Sequence, residues 1–280
     1  MAVQTGERTI KVMGIINITD DSFFAPSRML DSSGRPDISG IMEIAARMQQ
    51  DGVDIIDIGA CSSRPGSKGI SPEAEWERLG KTLPLLRKEF PGIPLSLDTY
   101  RSAIVEKAFD AVGPVIVNDI TSSEADNKML EVVGRLGLGY VAMHMRGMPD
   151  TMQQMTDYDN VVEAVRRHFE EFAAKAADAG VRDWILDPGF GFAKTTGQNY
   201  ALLAHLDEFK SFGHPILAGL SRKRMIYELL DISPEETLPA VQALNMAALE
   251  RGADILRVHD VAEAVRTARL YKALNDAKNQ

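Results

Sequence analysis

Apolar residues along this chain fall into two kinds of stretch that alternate. The first kind is short, β-branched and closed by a polar residue or glycine, the mark of a strand buried on both faces. Eight stretches read this way: "KVMGIIN", "VDIIDIG", "IPLSLD", "PVIVND", "GYVAMHM", "DWILD", "PILAGLS" and "DILRVH". The second kind is longer, with apolar residues at helical period. "ISGIMEIAARMQQ" puts Ile38, Ile41, Met42, Ala45 and Met48 on one face. "SPEAEWERLGKTLPLLRKEF" opens with Ser71 as an N-cap and Pro72 at the first helical position. "SPEETLPAVQALNMAALERG" spaces Ser233 and Glu236 as a capping box and places Gly252 past the end. Pro84 and Pro239 interrupt these patterns and predict a bend or a delayed start. Strands alternating with helices in this way predict a closed parallel (β/α)8 TIM barrel, and the same alternation is compatible with a doubly wound open sheet. Neither a low-complexity linker nor a charge block divides the chain, so one domain over residues 1–280 is expected. Segments 18–37 and 60–72 are long loops after the first two strands, and loops of that length in a compact domain are usually functional or mobile.

In a barrel the active site is built at the C-terminal ends of the strands. The residues there are Asn17, Asp57, Asp98, Asn118 with Asp119, His144, Asp187, Ser221, and Arg257 with His259. Any one of them would serve as a helix cap or an Asx-turn. So many at one rim point to a binding site. Among them Asp98, Asn118 and Asp187 are suited to accept N–H groups of a flat heterocycle, with Lys223 placed to meet a ring carbonyl. The same carboxylates would equally serve as a general acid and base, or hold a divalent ion.

Composition adds a contrast. The formal net charge is −9, which disfavours a nucleic-acid or anionic-lipid partner. Yet cations gather near the strand ends: Arg64 and Lys68 in the second loop, Arg222, Lys223 and Arg224 after the seventh strand, Arg257 and His259 on the eighth. Residues two apart on a strand share a face, so Arg257 and His259 both project to the mouth, as an anion or phosphate site requires. A solvated charge run is the plainer reading of "SRKR" taken alone. The single Cys61 forms no internal disulfide, and no run reaches the length of a membrane span; a soluble cytoplasmic protein is expected. No His/Cys cluster suggests zinc, and no Gly-x-Ser-x-Gly or Cys/His pairing suggests a covalent nucleophile. His168, His205 and His214 read as surface or packing histidines, and helix methionines as core. "LDPGFGFAK" has the glycines of a phosphate cradle, but Asp187 and Pro188 stand in front of them.

These motifs together resemble the dihydropteroate synthase family of pterin-binding barrels, over roughly residues 10 to 275. "MGIINITDDSF", "DIGACSSRPGS", "LSLDTYR", "VNDIT", "MHMRGMPDTMQ", "ILDPGFGFAKTTGQNYALL", "GLSRKRMI" and "LRVHD" occur in the family's order. The resemblance implies condensation of 6-hydroxymethyl-7,8-dihydropterin diphosphate with 4-aminobenzoate, giving 7,8-dihydropteroate and diphosphate, with Mg2+, in a cytoplasmic homodimer that sulfonamides target. It implies that Asp98, Asn118, Asp187 and Lys223 hold the pterin, that Asn17 binds the metal, and that Arg64, Arg257 and His259 hold the diphosphate. Ser63, Pro65, Phe192, Ser221 and the stem of Lys223 would shape the aminobenzoate site, Met143 and Arg222 would contact substrate, and Phe23 would close over it. On this reading Asp187 anchors the pterin, the glycines only turn the chain, and Lys194 has no role assigned. The sequence departs from the family's pattern at Asp20, where proline is usual, at "APSRML", which lacks a glycine pair, at Cys61 in place of glutamate and at Ser63 in place of threonine. All four departures fall in the first two loops. A pterin-dependent methyltransferase has no diphosphate to hold, and a silent pterin-binding homologue would have lost a ligand; Arg64, "SRKR" and "RVH" argue against the first, and the intact matched positions against the second.

Overall fold

The computed structural model describes residues 8–19, 29–30, 34–62 and 69–278. Within them each apolar stretch becomes a strand: β1 (Lys11–Asn17), β2 (Ile55–Gly59), β3 (Leu95–Asp98), β4 (Ile116–Asp119), β5 (Gly139–Met143), β6 (Trp184–Asp187), β7 (Leu217–Ala218) and β8 (Ile255–Val258). All pair in parallel, in the order β6-β5-β4-β3-β2-β1-β8-β7. A parallel bridge between Leu186 and Ile216 joins β6 to β7, and Leu186 N–H donates to Pro215 C=O at 2.9 Å. That seam closes the sheet into a (β/α)8 TIM barrel, and the open-sheet alternative falls.

β7 is only two residues long, although "PILAGLS" supplies seven candidates. Pro215 has no N–H to give to a ladder, and the Ile216 N–H goes to the Asp254 carboxylate at 2.9 Å. Beyond Ala218 the chain turns, with Lys223 N–H donating to Leu220 C=O at 3.3 Å.

The helices are α1 (Ile38–Asp51), α2 (Pro72–Glu89), α3 (Ser102–Val112), α4 (Met129–Leu136), α5 (Val161–Asp178), α6 (Thr196–Ala204), α7 (Arg224–Leu230), α8 (Leu238–Glu250) and α9 (Val261–Lys278). Both α7 and α8 lie between β7 and β8, one helix more than regular alternation needs. Ile41, Ala45 and Met48 are the buried stripe of α1, and Ser71 caps α2 by accepting the Ala74 N–H. Helix α2 runs through Pro84 without stopping; Pro84 is exposed, so water can serve the carbonyl it leaves unpaired. The Ser233–Glu236 capping box forms on a 3-10 turn, and Pro239 then sits in the first turn of α8, the delayed start its position predicts. No helix among the described residues is long and apolar enough to cross a membrane.

The strand period then builds the interior. Met13, Ile55, Ile116, Val141, Ile185, Leu217 and Ile255 meet inside the barrel as one apolar layer. Residues two further along the same strands face inward again, one layer higher. That layer contains Asp57, Asn118, Met143, Asp187, Gly219 and Arg257, with Asp98 above Ser96 on β3. The intervening residues, including Ile56, Leu97, Val117, Leu186 and Leu256, point out into the main core beneath the helices.

Candidate active site

This second inward layer lines a pocket at the C-terminal end of the barrel, made by Asp98, Asn118, Ile120, Met143, Asp187, Phe190, Phe192, Gly219, Lys223 and Arg257. Five polar residues from five strand ends or the turns beyond them thus converge on one space. Their mutual bonds set their orientation. Arg257 donates Nε to Asp57 at 2.7 Å and Nη2 to Asp98 at 2.8 Å, so one guanidinium spans two carboxylates. Asn118 Nδ2 reaches both Asp57 oxygens, at 3.1 and 3.3 Å. Asp57 is fully buried and holds the other two in place.

Charge in this layer is only partly compensated. Burial raises Asp98 to about 7; Arg257 opposes that shift, while Asp57, Glu75 and Asp119 add to it. Burial likewise raises Asp187, opposed mainly by the Gly189 N–H that donates to its Oδ1 at 2.8 Å. Lys223 is lowered by burial to about 8, with Asp187 pulling the other way. For Arg257 burial works against the charge, but Asp57 and Asp98 outweigh it and hold it protonated. Strongly perturbed groups in one pocket are the signature of a functional site. Three carboxylates against two cations bias the pocket toward a flat ligand rich in N–H donors, or one that gains positive charge.

The wall of the pocket comes from the turn after β6. Gly189 and Gly191 have φ of +70° and +81°, which only glycine adopts without strain. A Cβ on Gly189 would overlap the His144 carbonyl oxygen, and one on Gly191 would lie 2.9 Å from Lys223 Cδ. The turn therefore presses against both the β5 end and the Lys223 stem, and Lys223 Nζ sits 4.2 Å above the Phe192 ring centroid. Gly189→Ala is expected to lose about 1–2 kcal/mol from the left-handed backbone alone. The overlap with His144 adds to that loss and displaces the Asp187 carboxylate; calorimetric melting and ligand titration together would show both effects.

The other sequence candidates separate. His259 and Ser221 meet at the rim, with Nδ1 to Oγ at 3.0 Å. The three cations of "SRKR" go three ways: Lys223 turns into the pocket, Arg222 pairs with Asp260 at 2.9 Å, and Arg224 pairs with Glu228 along exposed α7. They are not a single cationic cluster, because each neighbouring residue leaves the turn in a different direction. Asp119 plays the Asx role, accepting from Thr121 N–H and Oγ1, Ser123 N–H and the Tyr140 hydroxyl. His205 pairs with Glu208, His214 stacks on Trp184 at 4.1 Å and His168 packs on Phe169, as surface or packing residues do. Asn17 ends β1 at the same rim. The described residues hold no group of three or more His, Cys, Asp or Glu suited to a metal. Phe23, Ser63, Arg64, Pro65 and Lys68 lie outside the described residues.

Reading the strand ends one at a time left Asp57 without a role, although it follows Ile55 by two as Arg257 follows Ile255. Counting the inward period across all strands would have found it. Glu75 and Arg101 had no such signal: buried Glu75 pairs with Arg101 and accepts from Thr99 Oγ1 at 2.6 Å, while Arg101 Nη2 donates to Ile70 C=O at 2.6 Å at the far end of the second loop. Arg78 bonds the carbonyls of Ile18 and Ala60, where the first two loops begin.

Residues 13–259 match the family described as "Pterin binding enzyme". The chain is 39% identical over 269 residues to the dihydropteroate synthase of Escherichia coli (strain K12), covering 95% of this chain and 92% of that one. The dihydropteroate synthase of Yersinia pestis, solved in complex with a sulfonamide drug, superposes with a TM-score of 0.89 at 34% identity, covering 96% of this chain and 95% of that one. That of Xanthomonas albilineans, solved with 4-aminobenzoic acid, gives a TM-score of 0.86 at 35% identity, covering 95% of this chain and 93% of that one.

Proposed function

This chain belongs to the family of pterin-binding enzymes, and we propose that, as a dihydropteroate synthase, it joins a dihydropterin diphosphate to 4-aminobenzoate with loss of diphosphate. One observation carries the reading. The pocket joins the carboxylates of Asp98 and Asp187, the amide of Asn118 and the amine of Lys223 within apolar walls, the set of acceptors and donors that the edge of a pterin ring matches.

The chemistry follows from that placement. As the bond between the pterin's methylene carbon and the diphosphate oxygen breaks, positive charge spreads into the ring. Asp98 and Asp187 stabilise it from a low-dielectric pocket, where fixed charges act more strongly than in water. Arg257 and His259 stand on β8 and just beyond it, on the side from which the diphosphate would leave. Ser221, hydrogen-bonded to His259, is suited to the carboxylate of 4-aminobenzoate, and Phe192 with the Lys223 stem to its ring. The amine attacks as a neutral nucleophile with its own lone pair, so the absence of a nucleophile motif in the sequence agrees with this route. Asn17 offers a hard oxygen at the rim, which suits a Mg2+ ion arriving with the diphosphate and keeping its waters; when bound, Mg2+ would neutralise charge on the leaving group. The exposed Leu229, Leu230, Leu270 and Leu274 agree with the expected homodimer.

Diphosphate release from pterin diphosphate, followed with and without 4-aminobenzoate, tests the reaction. Release that depends on 4-aminobenzoate is expected, and release that ignores it would sink the assignment. A pH prediction comes from Asp98. Ring N–H groups bond the ionised carboxylate, so bound pterin lowers the Asp98 pKa, which burial raises to about 7 in the free protein. Affinity for 6-hydroxymethylpterin should therefore climb with pH by up to about tenfold per unit until pH reaches about 7, then level off. Calorimetric titration checks it, and Asp98→Asn should flatten the climb.

A further inference from the structure

Lys194 ends the turn after β6 and lies behind the pocket, without lining it. The residue is only 5% exposed. It donates to the backbone carbonyls of His144, Gly189 and Phe192 at 3.2, 3.0 and 3.1 Å, and it meets Nδ1 of the His144 ring at 2.9 Å. Burial, and then the charge of Lys194, drives His144 far below the usual imidazole range, so the ring is neutral; burial also lowers Lys194 to about 7, with Asp187 opposing that shift, and toward the ammonium form Nδ1 is the acceptor. Three carbonyls and a ring nitrogen thus surround one nitrogen, one acceptor more than the three N–H of an ammonium serve singly, so two of them share a hydrogen. The three carbonyl dipoles aim at the same point, an arrangement that repels itself unless a cation sits at its centre.

Those carbonyls come from two separate pieces of the site. His144 follows Met143 at the end of β5, whereas Gly189 and Phe192 bound the turn that leaves β6. The front of that turn carries the groups that face the ligand. Gly189 N–H donates to Asp187 Oδ1, the Gly191 backbone presses on the Lys223 stem, and the Phe192 ring lies under Lys223 Nζ. The Phe192 N–H closes the turn on Gly189 C=O at 3.1 Å, and Asn199 Oδ1 holds the Gly191 N–H at 2.7 Å. The backbone ties β5 to β6 just before the turn, through His144 N–H to Asp187 C=O at 3.0 Å, but among the described residues Lys194 is the side chain that bonds all three carbonyls.

We propose that Lys194 is a positioning residue for the pterin pocket: as an internal counter-ion for the carbonyls of His144, Gly189 and Phe192, it clamps the β6 turn to the end of β5. The clamp sets where Asp187, Phe192 and Lys223 stand, and it acts on the ligand only through them. The inference rests on the reading of this pocket as the pterin site. It also makes a chemical statement that a packing role does not make. The cage recognises an ammonium, whether or not that ammonium is tied to the chain.

Lys194→Ala removes three methylenes and the amine, so n-propylammonium has the length to refill the space. Displacing pocket groups by about 1 Å costs on the order of 100-fold in turnover. Lys194→Ala should lose about that much in 4-aminobenzoate-dependent diphosphate release, with a matching loss of 6-hydroxymethylpterin affinity, measured well below the melting temperature. Adding n-propylammonium should restore at least about tenfold of both, whereas tetramethylammonium at equal ionic strength, which has no N–H to donate, should restore neither. Lys194→Met fills the space without a charge and should be impaired and unresponsive to either ion. Near wild-type behaviour of Lys194→Ala or Lys194→Met overturns the clamp, as does a Lys194→Ala protein, folded or not, that n-propylammonium fails to recover. A wild-type protein that binds 6-hydroxymethylpterin but shows no 4-aminobenzoate-dependent release overturns the reaction instead, since pterin affinity reads the clamp alone. A wild type that binds no pterin overturns both.

Discussion

Asp187→Asn is expected to lose about 1000-fold in kcat/KM while melting at an unchanged temperature, because the substitution removes the charge and little else. Asp187 Oδ1 accepts the Gly189 N–H at 2.8 Å, and the amide oxygen of asparagine accepts it equally well. The turn that shapes the wall therefore survives. Ionised Asp187 is disfavoured by burial, so losing its charge relieves a cost in the folded protein; against that, Lys194 and Lys223 each lose an anion that supports their protonation. These effects oppose each other in stability. In catalysis they do not, because the amide no longer stabilises positive charge developing on the pterin and presents an N–H where an acceptor is needed. Steady-state kinetics and a melting curve on the same preparation decide the matter, and retained turnover would rule Asp187 out at the pterin.

Arg257→Met is the second large effect, and it should strike stability as well as turnover. The guanidinium bridges Asp57, which is fully buried, and Asp98. Removing one member of a buried ion network leaves uncompensated charge and costs about 3 kcal/mol, the low end of the usual range because Arg257 is itself a fifth exposed. The cost should depend on pH in a definite direction. Burial already raises Asp98 in the wild type, and Arg257 is the largest cause opposing it. Without Arg257 the folded protein binds a proton at Asp98 even more readily than the unfolded chain does. Stability of the variant relative to wild type must then fall as pH rises from about 7, where wild-type Asp98 gives up its proton, to about 9, and recover on acidification. Urea denaturation at both ends of that range measures it. An equal deficit at both would mean that packing, not the lost counter-charge, is responsible. Turnover should fall by at least about 100-fold at every pH, since the group that holds the Asp98 carboxylate and faces the departing diphosphate is gone.

Much of this site is legible along the chain because a strand has a period of two and a barrel repeats it eight times. The apolar layer of Met13, Ile55, Ile116, Val141, Ile185, Leu217 and Ile255 and the polar layer two residues later are both linear patterns. So are the caps at Ser71 and Ser233 and the order of the motifs that place the chain in its family. Local chemistry suffices for such features, since each depends on residues only a few positions apart. Three other things were not legible, for one shared reason. Whether the sheet closes was settled by the Leu186–Ile216 seam, the directions of Arg222, Lys223 and Arg224 by Asp260, the pocket and Glu228, and the work of Asp57 and Lys194 by partners up to 200 residues away. The energy of a buried charge comes almost entirely from what surrounds it in space, and sequence spacing carries no record of that. Asp57 could be inferred from its period but not its two partners, and Lys194 looked like the last letter of a glycine loop until three carbonyls were seen to point at it.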